Sequence, residues 1–223
     1  GVYYVTPECM SASYAIDVAN YARQKVDNDS KCSVRFYDDE MQKRRTLENQ
    51  IVNEMKEAIE QHQFKVYFQP KYSIKNREIT GAEALIRWER ENGEVLSPDS
   101  FIPVYENNGK IVELDFYVFE TVVKYLAKNQ KEGRNQVPIS INASSLHAMD
   151  SQTITLYMDI LKKYDVDPSL VEIELTETAV VSEYESVREL FDEFQLHGIK
   201  TAMDDFGSGL SLIHISEPTR LRR

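Results

Sequence analysis

The chain has 223 residues, 42% of them hydrophobic, enough for a domain with a sizeable core. Charged residues make up 28% and are interspersed along the chain, which argues against disorder. The net charge of −11 argues against binding to a nucleic-acid polymer, which needs basic surface, but it leaves room for a small phosphate ligand whose charge a metal ion offsets.

Residues 1–38 read as strand, helix, strand. Residues 1–5 are a short β-rich run, residues 11–26 place Ala15, Val18, Ala19 and Ala22 on one helical face, and residues 32–38 form a second strand. Residues 39–62 carry Leu47, Ile51, Met55 and Ile59 at i+4 spacing in a charged background, the pattern of an amphipathic linker helix. From Lys65 the rhythm changes. Strands are expected at 65–74, interrupted by Pro70, and at 78–88. A long helix follows over 110–130, with Ile111, Leu114, Val118, Val122 and Leu126 aligned. The series then runs strand 137–144, helix 151–164, strand 171–177, helix 182–198 stopped by His197-Gly198, and strand 199–206.

Strands alternating with helices predict an α/β fold of parallel βαβ units, and the even spacing suits a barrel. The polar residues are more informative. Glu83, Asn142, Glu174 and the Asp204–Asp205 pair each follow an apolar strand segment. In a (β/α)8 barrel such strand ends converge on one mouth. Taken singly, Glu83 has an ordinary explanation as a solvated residue, Asn142 as a turn residue and Glu174 as an alternating surface position. Adjacent aspartates are harder to dismiss, because they repel each other without a partner. Oxygen ligands without Cys or His suit hard cations such as Mg²⁺ or Mn²⁺. One or two such ions can activate water for displacement at phosphorus, so the residues alone point to a metal-dependent phosphate-ester hydrolase. His62, His147, His197 and His214 share no ligand spacing. Trp88 reads as core packing, and Pro103 as starting or bending a helix.

The segments "YFQPKYSI", "GAEALIRW", "SFIPVYENNGKIVELD", "ISINASS", "EIELTET" and "MDDFGSG", in that order, resemble the EAL family of cyclic diguanylate phosphodiesterases. The resemblance implies a TIM-like barrel. It implies that Glu83, Asn142, Glu174 and Asp204 are metal ligands, and that Asp205 serves a second metal and the attacking water. Glu177 is implied to steady the loop after "DDFG", and Gln69 and Arg87 to contact the dinucleotide. The implied catalytic pair is Glu83 and Asp205. The implied reaction is hydrolysis of one bond of cyclic diguanylate (c-di-GMP) to linear pGpG in bacterial signalling. The competing reading is a catalytically silent EAL receptor that binds c-di-GMP and relays a signal; a third is a scaffold with no nucleotide role. Lys71 departs from the small or apolar residue usual after "QP". Residues 1–38 resemble the C-terminal end of a GGDEF domain.

The organisation expected is therefore a GGDEF-like remnant over 1–38, a linker helix over 39–62, an EAL segment over 63–209 and an anomalous tail over 210–223. The family pattern implies three further strands after Gly209, with a lysine, a glutamate and a glutamine. Instead Leu210–Arg220 reads as a frame translation of a transposase sequencing adaptor. The expectation is about five of roughly eight strands, an incomplete barrel, poor folding and no hydrolysis by the chain as written. The two cysteines, Cys9 and Cys32, form no ligand-spaced cluster and suggest reduced thiols and a cytoplasmic setting. No apolar run reaches the roughly 18–20 residues of a membrane span, although a longer parent could be anchored through an upstream segment. That parent is expected to be a homodimer.

Overall fold

A computed structural model describes residues 1–6, 9, 11–26, 34–150, 152–176 and 184–204. The expectations for Cys32, Glu177, Asp205 and residues 210–223 lie outside the described residues. The chain divides into two units, Gly1–Met55 and Lys56–Arg223.

In the first unit, Val2 and Phe36 form a parallel bridge, with Val2 N–H donating to Arg35 O and Tyr37 N–H to Val2 O, each at 2.8 Å. Helix α1 (Ala12–Gln24) starts where the Ser11 hydroxyl accepts from Tyr14 N–H at 3.1 Å, and it buries Val18 and Ala22. Helix α2 (Asp39–Glu60) spans the division between the units. Met41, Ile51, Met55 and Ala58 are its buried apolar residues, whereas Leu47 is 40% exposed. The i+4 stripe expected from sequence is thus buried at Ile51 and Met55, half-buried at Ile59 and exposed at Leu47.

In the second unit six strands form one mixed sheet, ordered β1-β2-β4-β5-β6 with β3 paired to β2. They are β1 (Phe64–Ser73), β2 (Glu78–Glu89), β3 (Val95–Leu96), β4 (Ile139–Asn142), β5 (Val171–Thr176) and β6 (Lys200–Asp204). Strands β2, β4, β5 and β6 run parallel. The expectation of parallel units fails at the first step, because β1 and β2 form an antiparallel hairpin. Only residues 74–77 separate them, and a parallel crossover needs a dozen or more. Pro70 is tolerated because β1 ends the strand order and pairs on one side alone.

Helices α3 (Pro98–Asn107) and α4 (Ile111–Lys131) connect β3 to β4, α5 (Thr153–Tyr164) precedes β5, and α6 (Tyr184–Leu196) precedes β6. Pro103 lies inside α3, a helix that the sequence pattern did not delimit. The α6 stop is where it was expected, with Gly198 at φ 85° just past the last turn. Val118, Phe119, Val122 and Val123 of α4, Tyr157 and Leu161 of α5, and Leu190 and Phe194 of α6 share one core with Ala84, Ile139, Ile141 and Ile173 of the sheet. Trp88 is fully buried against Phe64 and Phe101, and its indole N–H donates to Gln63 Oε1 at 3.0 Å.

Glu120 on α4 ties that helix to α5. Its Oε1 accepts from Lys163 Nζ and from the Tyr164 hydroxyl, both at 2.8 Å. The Lys163 bond first of all holds its pKa down to about 2. A depressed folded-state pKa gives stability that is present above the unfolded value and lost as pH falls through the folded one. Replacing Glu120 by Gln should lower the melting temperature at pH 7. The gap from wild type should close as pH drops from about 4.5 towards 2. A gap that stays constant across that range in circular-dichroism melts would show that the pair contributes no ionic stabilisation.

Candidate active site

Strand register sorts the sheet into two faces. Residues paired across strands point the same way, and residues along a strand alternate. Phe68, Ala84, Ile141 and Ile173 fall on the face that packs under the helices. Gln69, Glu83, Ser140 and Glu172 pair in one row on the other face. Two residues further along, Asn142 pairs with Glu174, and beyond them Asp204 pairs with Thr176. One face of the sheet is thus oily and the other is lined with oxygen atoms.

The expected ligands climb this face as a staircase. Glu83 sits on β2, Asn142 and Glu174 one row up on β4 and β5, and Asp204 a further row up on β6. In a barrel wall the strands tilt, with a shear of about one residue per strand, so groups at equal height occupy successively later positions. Glu83 itself lies in mid-strand rather than at a strand end, because β2 continues to Glu89 to pair with β3.

Side chains draw part of this set together. Asn142 Nδ2 donates to Glu83 Oε1 at 3.1 Å. Lys71 Nζ donates to Glu174 Oε1 at 2.7 Å and lies 3.6 Å from Glu172 Oε1. Burial works against the Lys71 ammonium. The bond to Glu174 and the charges of Glu174, Glu172 and Glu83 outweigh it and raise the lysine pKa above its ordinary value. Glu174 is 8% exposed, so its carboxylate needs a positive partner. Sequence reasoning noticed Lys71 as a departure but missed this role. Register parity was the signal that could have found it, since Lys71 shares a face with Gln69.

Other expected residues are less closely engaged. Gln69 is exposed and sits directly opposite Glu83. Arg87 lies on the Glu83 face, four residues along β2 and so about 13 Å away. Its guanidinium donates to Ile86 O at 2.7 Å. No side-chain hydrogen bond among the described residues reaches Asp204, which joins the sheet through its pairing with Thr176.

Behind the oxygen-lined face, a buried network holds the segment that follows Asn142. Asp115 Oδ2 accepts from Ser144 N–H at 2.9 Å and is bonded to His147 Nε2 at 3.0 Å. Burial pushes the Asp115 carboxyl up, against the ring and the amide that favour its ionised form. Next to this network is a cavity of about 240 Å³, lined by Leu85, Ile102, Glu106, Asp115, Asn142 and Thr176 among others. Burial, with the Asp115 charge, also pushes the Glu106 carboxyl up.

The fit to a divalent cation can be judged from these groups. Among the described residues, no three Asp, Glu, His or Cys side chains gather closely enough to hold an ion. Yet Glu83, Asn142 and Glu174 offer hard oxygen donors on adjacent positions of one face. A cationic group, the Lys71 ammonium, already stands among the acids. Ser140 Oγ, buried in the same row as Glu83, has no hydrogen-bond partner among the described residues. The donor chemistry therefore fits a hard cation such as Mg²⁺ or Mn²⁺, with Lys71 as its stand-in.

Comparison with known proteins agrees with this geometry. The profile of the EAL domain family matches residues 52–216. The signaling protein YkoW of Bacillus subtilis is 30% identical over 195 residues, 87% of this chain and 24% of that protein. The cyclic di-GMP phosphodiesterase NbdA of Pseudomonas aeruginosa is 25% identical over 179 residues, 80% of this chain and 23% of that protein. Among solved structures, the PaMucR phosphodiesterase in complex with c-di-GMP superposes with a TM-score of 0.67 at 25% identity, covering 73% of this chain and 66% of that one. The chain thus spans about a quarter of the length of these curated relatives. No helix among the described residues is long and apolar enough to cross a membrane.

Removing the Asp115 carboxylate would leave the Ser144 amide and the His147 ring unpaired in the interior. Asp115→Ala should cost about 3 kcal/mol in urea denaturation. Asp115→Asn, which keeps an acceptor oxygen, should cost less. Equal midpoints for Asp115→Ala and wild type would mean that the network does not hold the segment.

Proposed function

We propose, because this chain belongs to the EAL domain family, that its oxygen-lined face binds c-di-GMP with one or two Mg²⁺ or Mn²⁺ ions. We further propose that the whole protein hydrolyses one phosphodiester bond of that dinucleotide to give linear pGpG. The observation that carries this reading is the staircase of Glu83, Asn142, Glu174 and Asp204 on one face of the parallel strands. A divalent ion bound there would supply the charge against which water is activated and a displacement at phosphorus stabilised.

Each residue has a task in this reading. Glu83, Asn142, Glu174 and Asp204 hold the ion through oxygen. The Asn142 amide nitrogen, now donating to Glu83, would turn so that its oxygen faces the cation. Asp205 and Glu177, outside the described residues, serve the second ion with the attacking water and the adjoining loop. Gln69, opposite Glu83, donates to the ligand from the hairpin. Arg87 offers paired N–H donors to a phosphodiester, as guanidinium groups do. The buried Asp115–His147 pair fixes the backbone after Asn142 and so orients that ligand.

One observation favours a second reading. Lys71 pairs with Glu174, so the most enclosed carboxylate of the face has a positive partner from within the chain. That is compatible with a silent receptor that binds c-di-GMP and passes the signal on.

Assaying the whole protein with c-di-GMP separates the two. Hydrolysis should yield pGpG with Mn²⁺ and none with a chelator, and Glu83→Gln should lower kcat by about 10²-fold or more. Nucleotide binding without turnover would support the receptor instead. Neither binding nor turnover with Mn²⁺ present would contradict both.

A further inference from the structure

We propose that Lys71 is a tethered cation that competes with the divalent ion for Glu174 and sets how tightly the site holds metal. The inference rests on the metal reading above and adds a residue that decides the strength of binding.

Backbone geometry aims Lys71 at the acids. The β1–β2 register shifts between Lys71 and Tyr72, immediately after the lysine. An irregularity of this kind in an antiparallel pair re-aims a side chain. Across the hairpin Lys71 is paired with Gly81. A Cβ on residue 81 would lie 3.8 Å from Lys71 Cδ and 3.9 Å from its Cβ, and 3.1 Å from Pro138 O. The close approach that the glycine permits is thus that of Pro138 O, while the lysine stem passes residue 81 at ordinary van der Waals distance. The side chain then spans towards β5, three strands away, to meet Glu174 and Glu172.

The competition follows from space and charge. Lys71 Nζ sits 2.7 Å from Glu174 Oε1, within the region that an ion coordinated at about 2.1 Å would occupy. An ammonium and a divalent cation that close would repel strongly, so a carboxylate with both would hold one at the expense of the other. Glu174 is nearly enclosed, with its side chain 10% exposed, while that of Lys71 is 42% exposed. The lysine therefore has a route out to water along its flexible stem, and the glutamate has none. Without metal, Lys71 relieves repulsion among Glu83, Glu172 and Glu174. With metal, it must leave.

Mn²⁺ binding to the whole protein, followed by loss of the free-ion electron paramagnetic resonance signal, tests this directly. Lys71→Gln should bind Mn²⁺ roughly two- to fivefold more tightly than wild type, the range of one partly exposed charge pair. Lys71→Arg, which keeps the charge, should bind no more tightly than wild type. Equal affinity of Lys71→Gln and wild type, or weaker binding by Lys71→Gln, would overturn the proposal while leaving the metal reading intact. No Mn²⁺ binding by wild type or either variant would overturn both. A measurement on the native sequence guards against a variant that fails to fold. With lysines dimethylated by ¹³C-formaldehyde, the Lys71 resonance, assigned by its loss in Lys71→Arg, should move when Mg²⁺ binds. A resonance that stays in place at saturating Mg²⁺ would overturn the displacement.

Discussion

The parallel register of β2, β4, β5 and β6 is the constraint on which the rest depends. It fixes which side chains share a face, and it sends Ala84, Ile139, Ile141 and Ile173 under α4, α5 and α6. The opposite parity is left to carry oxygen and charge. Curvature then brings that face together. Strands β1 and β5 are three steps apart, about 14 Å in a flat sheet. A hydrogen bond from Lys71 to Glu174 can form only if the sheet curls towards the polar side, as the wall of a barrel does. Fold and site are thus one arrangement: burial of the oily face against helices bends the sheet and gathers the acids.

That arrangement has an electrostatic consequence. Three carboxylates, Glu83, Glu172 and Glu174, share one face of the sheet, and Glu174 among them is almost enclosed. Such a surface needs a cation. Lys71 supplies one from within the chain, and a hard metal ion would supply another from outside. The Asp115–His147 pair stabilises a different feature, the backbone beyond Asn142, and does so from the helix side.

Much of this was legible in the sequence. The alternation of apolar strands with helices indicated α/β layers, and the stripe through Ile111, Leu114, Val118, Val122 and Leu126 is buried as its spacing implies. The motif residues Glu83, Asn142, Glu174 and Asp204 fall on a common face, which spacing within each strand could suggest but only register could establish. The direction of β1 was also within reach, since a four-residue link cannot return a strand in parallel. The role of Lys71 was only partly within reach: alternation with Gln69 put it on the shared face, but its bond to Glu174 depends on a register shift and the curl of the sheet. The buried Asp115–His147 contact was out of reach, since it joins residues far apart in the chain through tertiary packing alone.

The central claim is that oxygen groups from separate strands meet around a divalent ion on the polar face of this sheet. Anomalous diffraction from a crystal of the whole protein grown with Mn²⁺ examines it most directly. The account predicts an anomalous peak within coordination distance of oxygen atoms from at least two of Glu83, Asn142, Glu174 and Asp204, with Lys71 Nζ moved away from Glu174. A peak elsewhere on the molecule, or none on this face with Lys71 still bonded to Glu174, would contradict it.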